Sequence, residues 1–189
     1  HGGSFTQAFW IRVYDSILLP MFDHVRAEVT DTTTFSDEAR RAEADAWLYE
    51  TCTTSLQYLV DVVSAYHKAV PELLTKLLDL LGGFIRRNHP SLAAVGVAAL
   101  TQLAVSCGSE AAPGTWRAML EAFKSATYDT IPDIEALLNM RSEHRRTSED
   151  GNAWTLESGA GARRLAEIRC RASVQLLLAQ ACGELYAAH

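Results

Sequence analysis

Cys52 stands among hydroxyl side chains, with Thr51, Thr53, Thr54 and Ser55 as its neighbours, and a nucleophile would be sought there first. Covalent catalysis needs a base within hydrogen-bond reach of the attacking group, and a third group to orient that base. Helical spacing from Cys52 brings no histidine within one turn, and serine and threonine on a helix bond back to the carbonyls of the preceding turn. His24, His67, His89 and His144 lie in four different segments, so no HxxxH or HExxH ligand pair exists. Asp23 and His24 are adjacent, which points them around a helix rather than at one ion. Glu43, Asp45 and Glu50 gather where a helix is expected to start, and there they complement its dipole. Gly2-Gly3, Gly82-Gly83 and Gly159-Ala-Gly161 fit neither the phosphate-loop nor the dinucleotide pattern. The expectation is a chain with no catalytic residue, no cofactor and no metal.

What remains is charge available for contact. Arg86, Arg87 and His89 share one short turn, and they are the candidate partner-contact residues. Arg163, Arg164, Arg169 and Arg171 line the start of the last helix. Cations near a helix end also satisfy its exposed carbonyls, so capping and solubility compete with docking as their purpose. Trp10, Trp47 and Trp116 read as core wedges at helix starts.

These residues must be carried by helices, because no segment shows sustained period-two alternation. Four of the five prolines fall at Pro71, Pro90, Pro113 and Pro132, spaced 19, 23 and 19 residues apart, so alternate ones are 42 apart both times. Each stands ahead of an apolar, helix-patterned segment, where its fixed φ suits the first turn and its missing N–H costs nothing. A period near 42 with two helices per period is the mark of HEAT- or armadillo-like repeats. The predicted fold is all-α, a solenoid of stacked antiparallel hairpins.

Along the chain, Phe5 to Leu19 reads as a helix with Phe9, Val13 and Ile17 on one face, kinked at Pro20 and resumed from Met21 to Val29. Residues 30–44 have no apolar period and are read as an exposed loop. Asp45 is a plausible N-cap for a long helix ending near Val70, striped by Leu48, Cys52, Leu56, Leu59, Val63 and Tyr66. Pro71 opens a broad leucine stripe that closes on Phe84 and Ile85, with Gly82-Gly83 suggesting a close helix crossing or a fraying point. Pro90 to Cys107 is a third helix, stopped by Gly108. Pro113 begins a fourth, carrying Trp116, Met119, Leu120 and Phe123, and a shorter piece runs from Pro132 to Met140. Residues 141–162 read as a flexible polar loop. An amphipathic helix then occupies 163–189 through Ile168, Val174, Leu177, Leu178 and Ala181, and begins the next repeat. Residues 1–140 are thus one helical-repeat region.

Composition bounds the rest. The chain has 189 residues, 48% of them apolar, and a formal charge of −6, which argues against generic nucleic-acid binding and against broad attraction to anionic lipid. Cys52, Cys107, Cys170 and Cys182 have no CxxC spacing, and four reduced, mostly buried thiols in a cytosolic protein are expected. Ser91 to Ser109 carries no formal charge but is rich in Ala, Val and Gly. A central helix covered by neighbours is a better reading of it than a membrane span. The chain starts at His1, with no Met before Met21 and no signal-like segment, as a fragment of a larger protein would.

Three stretches then carry a resemblance. They are Trp10-Ile-Arg-Val-Tyr-Asp-Ser-Ile-Leu-Leu-Pro-Met-Phe-Asp-His-Val-Arg26, Asp45-Ala-Trp-Leu-Tyr-Glu-Thr-Cys52 continuing through Ile85-Arg-Arg-Asn-His-Pro-Ser-Leu-Ala93 to Trp116, and Val174-Gln-Leu-Leu-Leu-Ala-Gln180 with Glu184-Leu-Tyr186. In order and spacing they resemble the region downstream of the catalytic domain in the large brefeldin A-inhibited exchange factors for Arf GTPases (the BIG family), the plant-type members above all. The resemblance implies a non-catalytic regulatory segment of a protein that is cytosolic and peripherally attached to Golgi or trans-Golgi membranes. It implies partners among Arf-family or related small GTPases and other regions of the parent, with a homodimer of the parent conceivable. The exchange step belongs to a separate domain that no stretch here matches. Two alternatives stand beside this reading: an unrelated HEAT-like adaptor, and a small helical-bundle enzyme with a polar pocket.

Overall fold

In the computed structural model of the chain, residues 6–18, 20, 22, 38–108, 110–139 and 160–188 are described. Thr6 caps α1 (Gln7–Val13), its hydroxyl accepting from the Phe9 N–H at 3.3 Å. The helix widens at once into a single π-turn over Tyr14–Leu18. Pro20 follows, and a proline ring clashes with the carbonyl four residues back, which here is Ser16, inside the widened turn. The expected face of Phe9 and Ile17 is not the buried one, since both are exposed. Tyr14 is buried instead, and its phenol donates to the Lys76 carbonyl at 2.9 Å. Phe22 is helical and buried edge-on against Phe84; the other residues of the expected helix from Met21 to Val29 lie outside the described residues.

The next helix, α2, runs Glu38–Tyr66. Its start corrects two expectations: Asp45 is not an N-cap, and residues 38–44 are helix rather than loop, while 30–37 lie outside the described residues. Glu38-Ala-Arg-Arg-Ala-Glu-Ala has no apolar stripe, but it is almost wholly Ala, Arg and Glu, the strongest helix formers. The stripe itself behaves as read: Cys52, Leu56, Leu59 and Val63 are buried, joined by Val60. Tyr66 is half-buried and stacks on Trp10 with ring centroids 5.2 Å apart.

Three helices follow that each start on their proline: α3 (Pro71–Ile85), α4 (Pro90–Gly108) and α5 (Pro113–Asp129). A short helix, α6, covers 134–139, and α7 spans Ala160–Ala188. Pro132 is the exception among the prolines, lying outside its helix. Asp133 caps α6, its carboxylate accepting from the Ala136 N–H at 2.9 Å. The loop expected over 141–162 is helical at 160–162, and 140–159 lie outside the described residues. Every element among the described residues is helical.

The core is organised around α4, which packs against α2, α3, α5 and α7. It is long and apolar enough to cross a membrane, yet 67% of that span is buried inside the protein. The covered central helix read from its Ala- and Val-rich composition is therefore the observed one. All of the expected α3 stripe is buried, with Leu80 besides. Close approach is achieved at Gly96 rather than at Gly82-Gly83. A Cβ on Gly96 would lie 2.9 Å from both Phe84 Cβ and Ile85 Cγ1, whereas one on Gly83 meets nothing within 4 Å. On α5, Met119 and Phe123 are buried, but Leu120 faces out. The buried face of α7 is Ile168, Val174, Leu178, Ala181 and Leu185.

Candidate functional site

The nucleophile cluster on α2 is inert by its surroundings. Thr53 Oγ1 donates to the Tyr49 carbonyl at 2.6 Å, the back-bond expected of a helical hydroxyl. Cys52 is fully buried, and burial pushes its thiol up to about 11, so almost no thiolate exists near neutrality. Burial likewise raises Cys107; Cys170 is raised by burial first, with Arg171 opposing and Glu167 adding. Cys182 is the exposed one of the four, so the thiols are mostly buried, as expected.

His67 is the buried polar residue nearest to chemistry, at 6% exposure. Its Nδ1 lies 2.8 Å from the Ser64 carbonyl and 3.9 Å from Cys107 Sγ, and its Nε2 has no partner among the described residues. The ring thus closes the end of α2, satisfying one of the carbonyls that a helix leaves open. Among the described residues, no three His, Cys, Asp or Glu side chains come together as a cation site would require. An apolar groove of about 400 Å³ lies between α1 and α2, lined by Trp10, Tyr14, Tyr58, Leu59 and Val63 among others, with no charged side chain. Convergent polar groups, which a bundle enzyme needs, are not found there.

The three candidate contact residues are placed in different roles. Arg86 folds back along α3 and pairs with Asp129 at the end of α5, 3.2 Å away. Both partners are part-exposed, and such pairs contribute about 0–1 kcal/mol. His89 caps α4, its Nδ1 accepting from the Leu92 N–H at 3.4 Å. Arg87 is half-buried, and no carboxylate pairs with its side chain among the described residues. Within the fold, the turn therefore caps α4 through His89 and ties α3 to α5 through Arg86.

Packing α7 beside this turn joins the two basic clusters that stand some 75 residues apart in sequence. Cys170 Sγ lies 3.9 Å from the Arg87 carbonyl. A groove of about 820 Å³ runs between them, with Asn88 and Pro90 on one wall and Arg163, Arg164 and Arg171 on the other. Arg164 bonds Asp133 at 3.0 Å, and Arg171 bonds Glu167 at 2.8 Å. The Asp133 carboxyl is held below its usual range by the Ala136 N–H first and by Arg164 second. Sequence reasoning missed Asp133 entirely, although Asp ahead of Ile-Glu-Ala is a capping signature.

Of the tryptophans, Trp10 and Trp116 are half-buried wedges, and the Trp116 indole donates to the Gly108 carbonyl at 3.2 Å, finishing α4. Trp47 is the exception: it lies 53% exposed on α2. Deeper along α7, Gln175 Nε2 donates to the Thr127 carbonyl at 2.8 Å and to Thr130 Oγ1 at 2.9 Å. That side chain locks α7 to the end of α5.

No family model matches the chain, and no solved structure does. Curated proteins do. Brefeldin A-inhibited guanine nucleotide-exchange protein 2 of Arabidopsis thaliana is 34% identical over 212 residues, covering 98% of this chain and 12% of the relative. Protein 3 of that series and organism is 32% identical, covering 98% and 11%. Protein 4 is 28% identical over 72% of the chain and 9% of its own length. The chain thus spans about an eighth or less of the relatives it matches. Across nearly all of its residues, this chain belongs to the family of brefeldin A-inhibited guanine nucleotide-exchange proteins.

Proposed function

We propose that the chain is a non-catalytic regulatory segment of an Arf guanine nucleotide exchange factor, built as stacked helical hairpins of the HEAT type and working by docking other proteins. The observation that carries this reading is likeness along the whole chain to exchange proteins many times its length, combined with buried, unreactive thiols where catalysis would otherwise be sought. The proline period and the start of α3, α4 and α5 on successive prolines support the hairpin repeat. In this reading the segment sits in a cytosolic protein recruited to Golgi membranes, where it favours one arrangement of the parent by binding a membrane-attached partner better in that arrangement. Arf-family or related GTPases, other regions of the parent and a second copy of the parent are the partners it fits, and Arg86, Arg87 and His89 form the contact turn.

The test is charge reversal in the full-length parent. Arg87→Glu, alone and with Arg86→Glu, is expected to weaken membrane recruitment and GTPase association while helix content is unchanged. Loss of the exposed Arg86–Asp129 pair removes about 0–1 kcal/mol, and circular dichroism of each variant separates a recruitment defect from unfolding. Normal recruitment by the double variant would overturn this role for the turn.

A further inference from the structure

The groove between the 86–90 turn and α7 has a chemistry of its own. Its charged lining is Arg163, Arg164 and Arg171 against Asp133 and Glu167, three positive groups to two negative, in a chain whose net charge is −6. The donors are not all engaged. Arg164 uses Nη2 on Asp133, and Arg171 uses Nη2 on Glu167 and Nη1 on the Ile131 carbonyl. Arg163 is exposed and bonds to no described residue. The flanking Arg87 and Arg169 side chains also lack a described carboxylate partner. Between these cations the surface is apolar, from Pro90, Ala166, Ile168 and Cys170.

We propose that this groove binds an extended acidic peptide segment of a partner protein. Its carboxylates would seat on Arg163 and Arg164, and an apolar side chain would lie against Pro90 and Ala166. The guanidinium fork suits a carboxylate bidentately, and charge-assisted bonds of this kind are the strong ones. A membrane fits less well. The groove is concave with an apolar lining, and Asp133 and Glu167 inside it would face anionic headgroups while the chain's overall charge repels them. The inference gives the partner class for the docking reading above and rests on it.

The experiment uses the purified 189-residue chain and a fluorescein-labelled dodecapeptide repeating Glu-Leu-Glu-Ser, followed by anisotropy. Binding is expected to weaken with added salt. Arg163→Glu should weaken it about tenfold, as loss of one charge-assisted contact would, while Arg117→Glu, an exposed reversal on α5, should leave it unchanged. Arg163→Gln removes the charge with less disturbance and should also weaken binding, with circular dichroism confirming intact helices. No binding, equal weakening by Arg117→Glu, or preference for a Lys-substituted peptide or for phosphatidylserine vesicles would each overturn the proposal. Failure here would leave recruitment by the Arg86-Arg87 turn untouched, so the two readings fall separately.

Discussion

Replacing Gly96 by alanine tests the central crossing, because two opposing effects of known size meet there. Alanine gains about 1 kcal/mol over glycine in a helix interior. Against this, the new methyl would stand 2.9 Å from Phe84 Cβ and Ile85 Cγ1 and 3.1 Å from the Ile85 backbone nitrogen. Neither neighbour can yield freely, since Phe84 and Ile85 are both fully buried in the core. Overpacking of this kind costs about 1–3 kcal/mol, and with a backbone atom among the obstacles the upper part of that range applies. The net expectation for Gly96→Ala is a loss of about 1–2 kcal/mol. Gly83→Ala is the internal control: it lies on the same pair of helices with nothing within 4 Å of the added carbon, so it should gain about 0.5–1 kcal/mol. At about 2–4 °C per kcal/mol for a chain of this size, the two variants should straddle the wild-type Tm, separated by roughly 3–12 °C. Thermal unfolding followed by circular dichroism reads this directly. A Gly96→Ala protein as stable as the parent chain would mean that α3 and α4 do not meet as described.

Two further outcomes follow from the titratable groups. With Cys52 pushed up to about 11 and Cys107 and Cys170 also raised by burial, a maleimide at neutral pH should label Cys182 alone in the folded chain and all four thiols after denaturation. Rapid native labelling of Cys52 would contradict its placement in the core. Asp133 has a folded pKa below its ordinary 3.8, so its contribution to stability is present above that value and is lost as pH falls through the lower folded one. Asp133→Ala should therefore show a smaller loss of stability on acidification below about pH 4 than the parent chain; an unchanged acid limb in urea titrations would refute the role given to Asp133.

The helices were legible wherever apolar spacing and proline coincided. Pro71, Pro90 and Pro113 mark starts to the residue, and the leucine stripe of α3 is buried in full. Where propensity acted without periodicity, the reading went astray. Glu38 to Ala44 shows no stripe in its sequence, yet its composition suffices for helix. The face assigned to Phe9 and Ile17 is exposed, and Tyr14, at the start of the π-turn, is the residue buried instead. Gly82-Gly83 advertised a crossing that Gly96 performs, since a glycine's sequence position does not say which neighbouring backbone will come near. The turn at 86–89 was legible as charge alone. Its pairing with Asp129, its union with α7 and the capping by Asp133 are tertiary facts that local spacing cannot reveal.

The placement of α4 has one more consequence. α2 and α7, distant in sequence, both pack on the same helix. α2 ends at Tyr66 and α7 begins at Ala160, so one helix gathers segments far apart in the sequence. Among the described residues, α4 is thus the element on which α2 and α7 both rest.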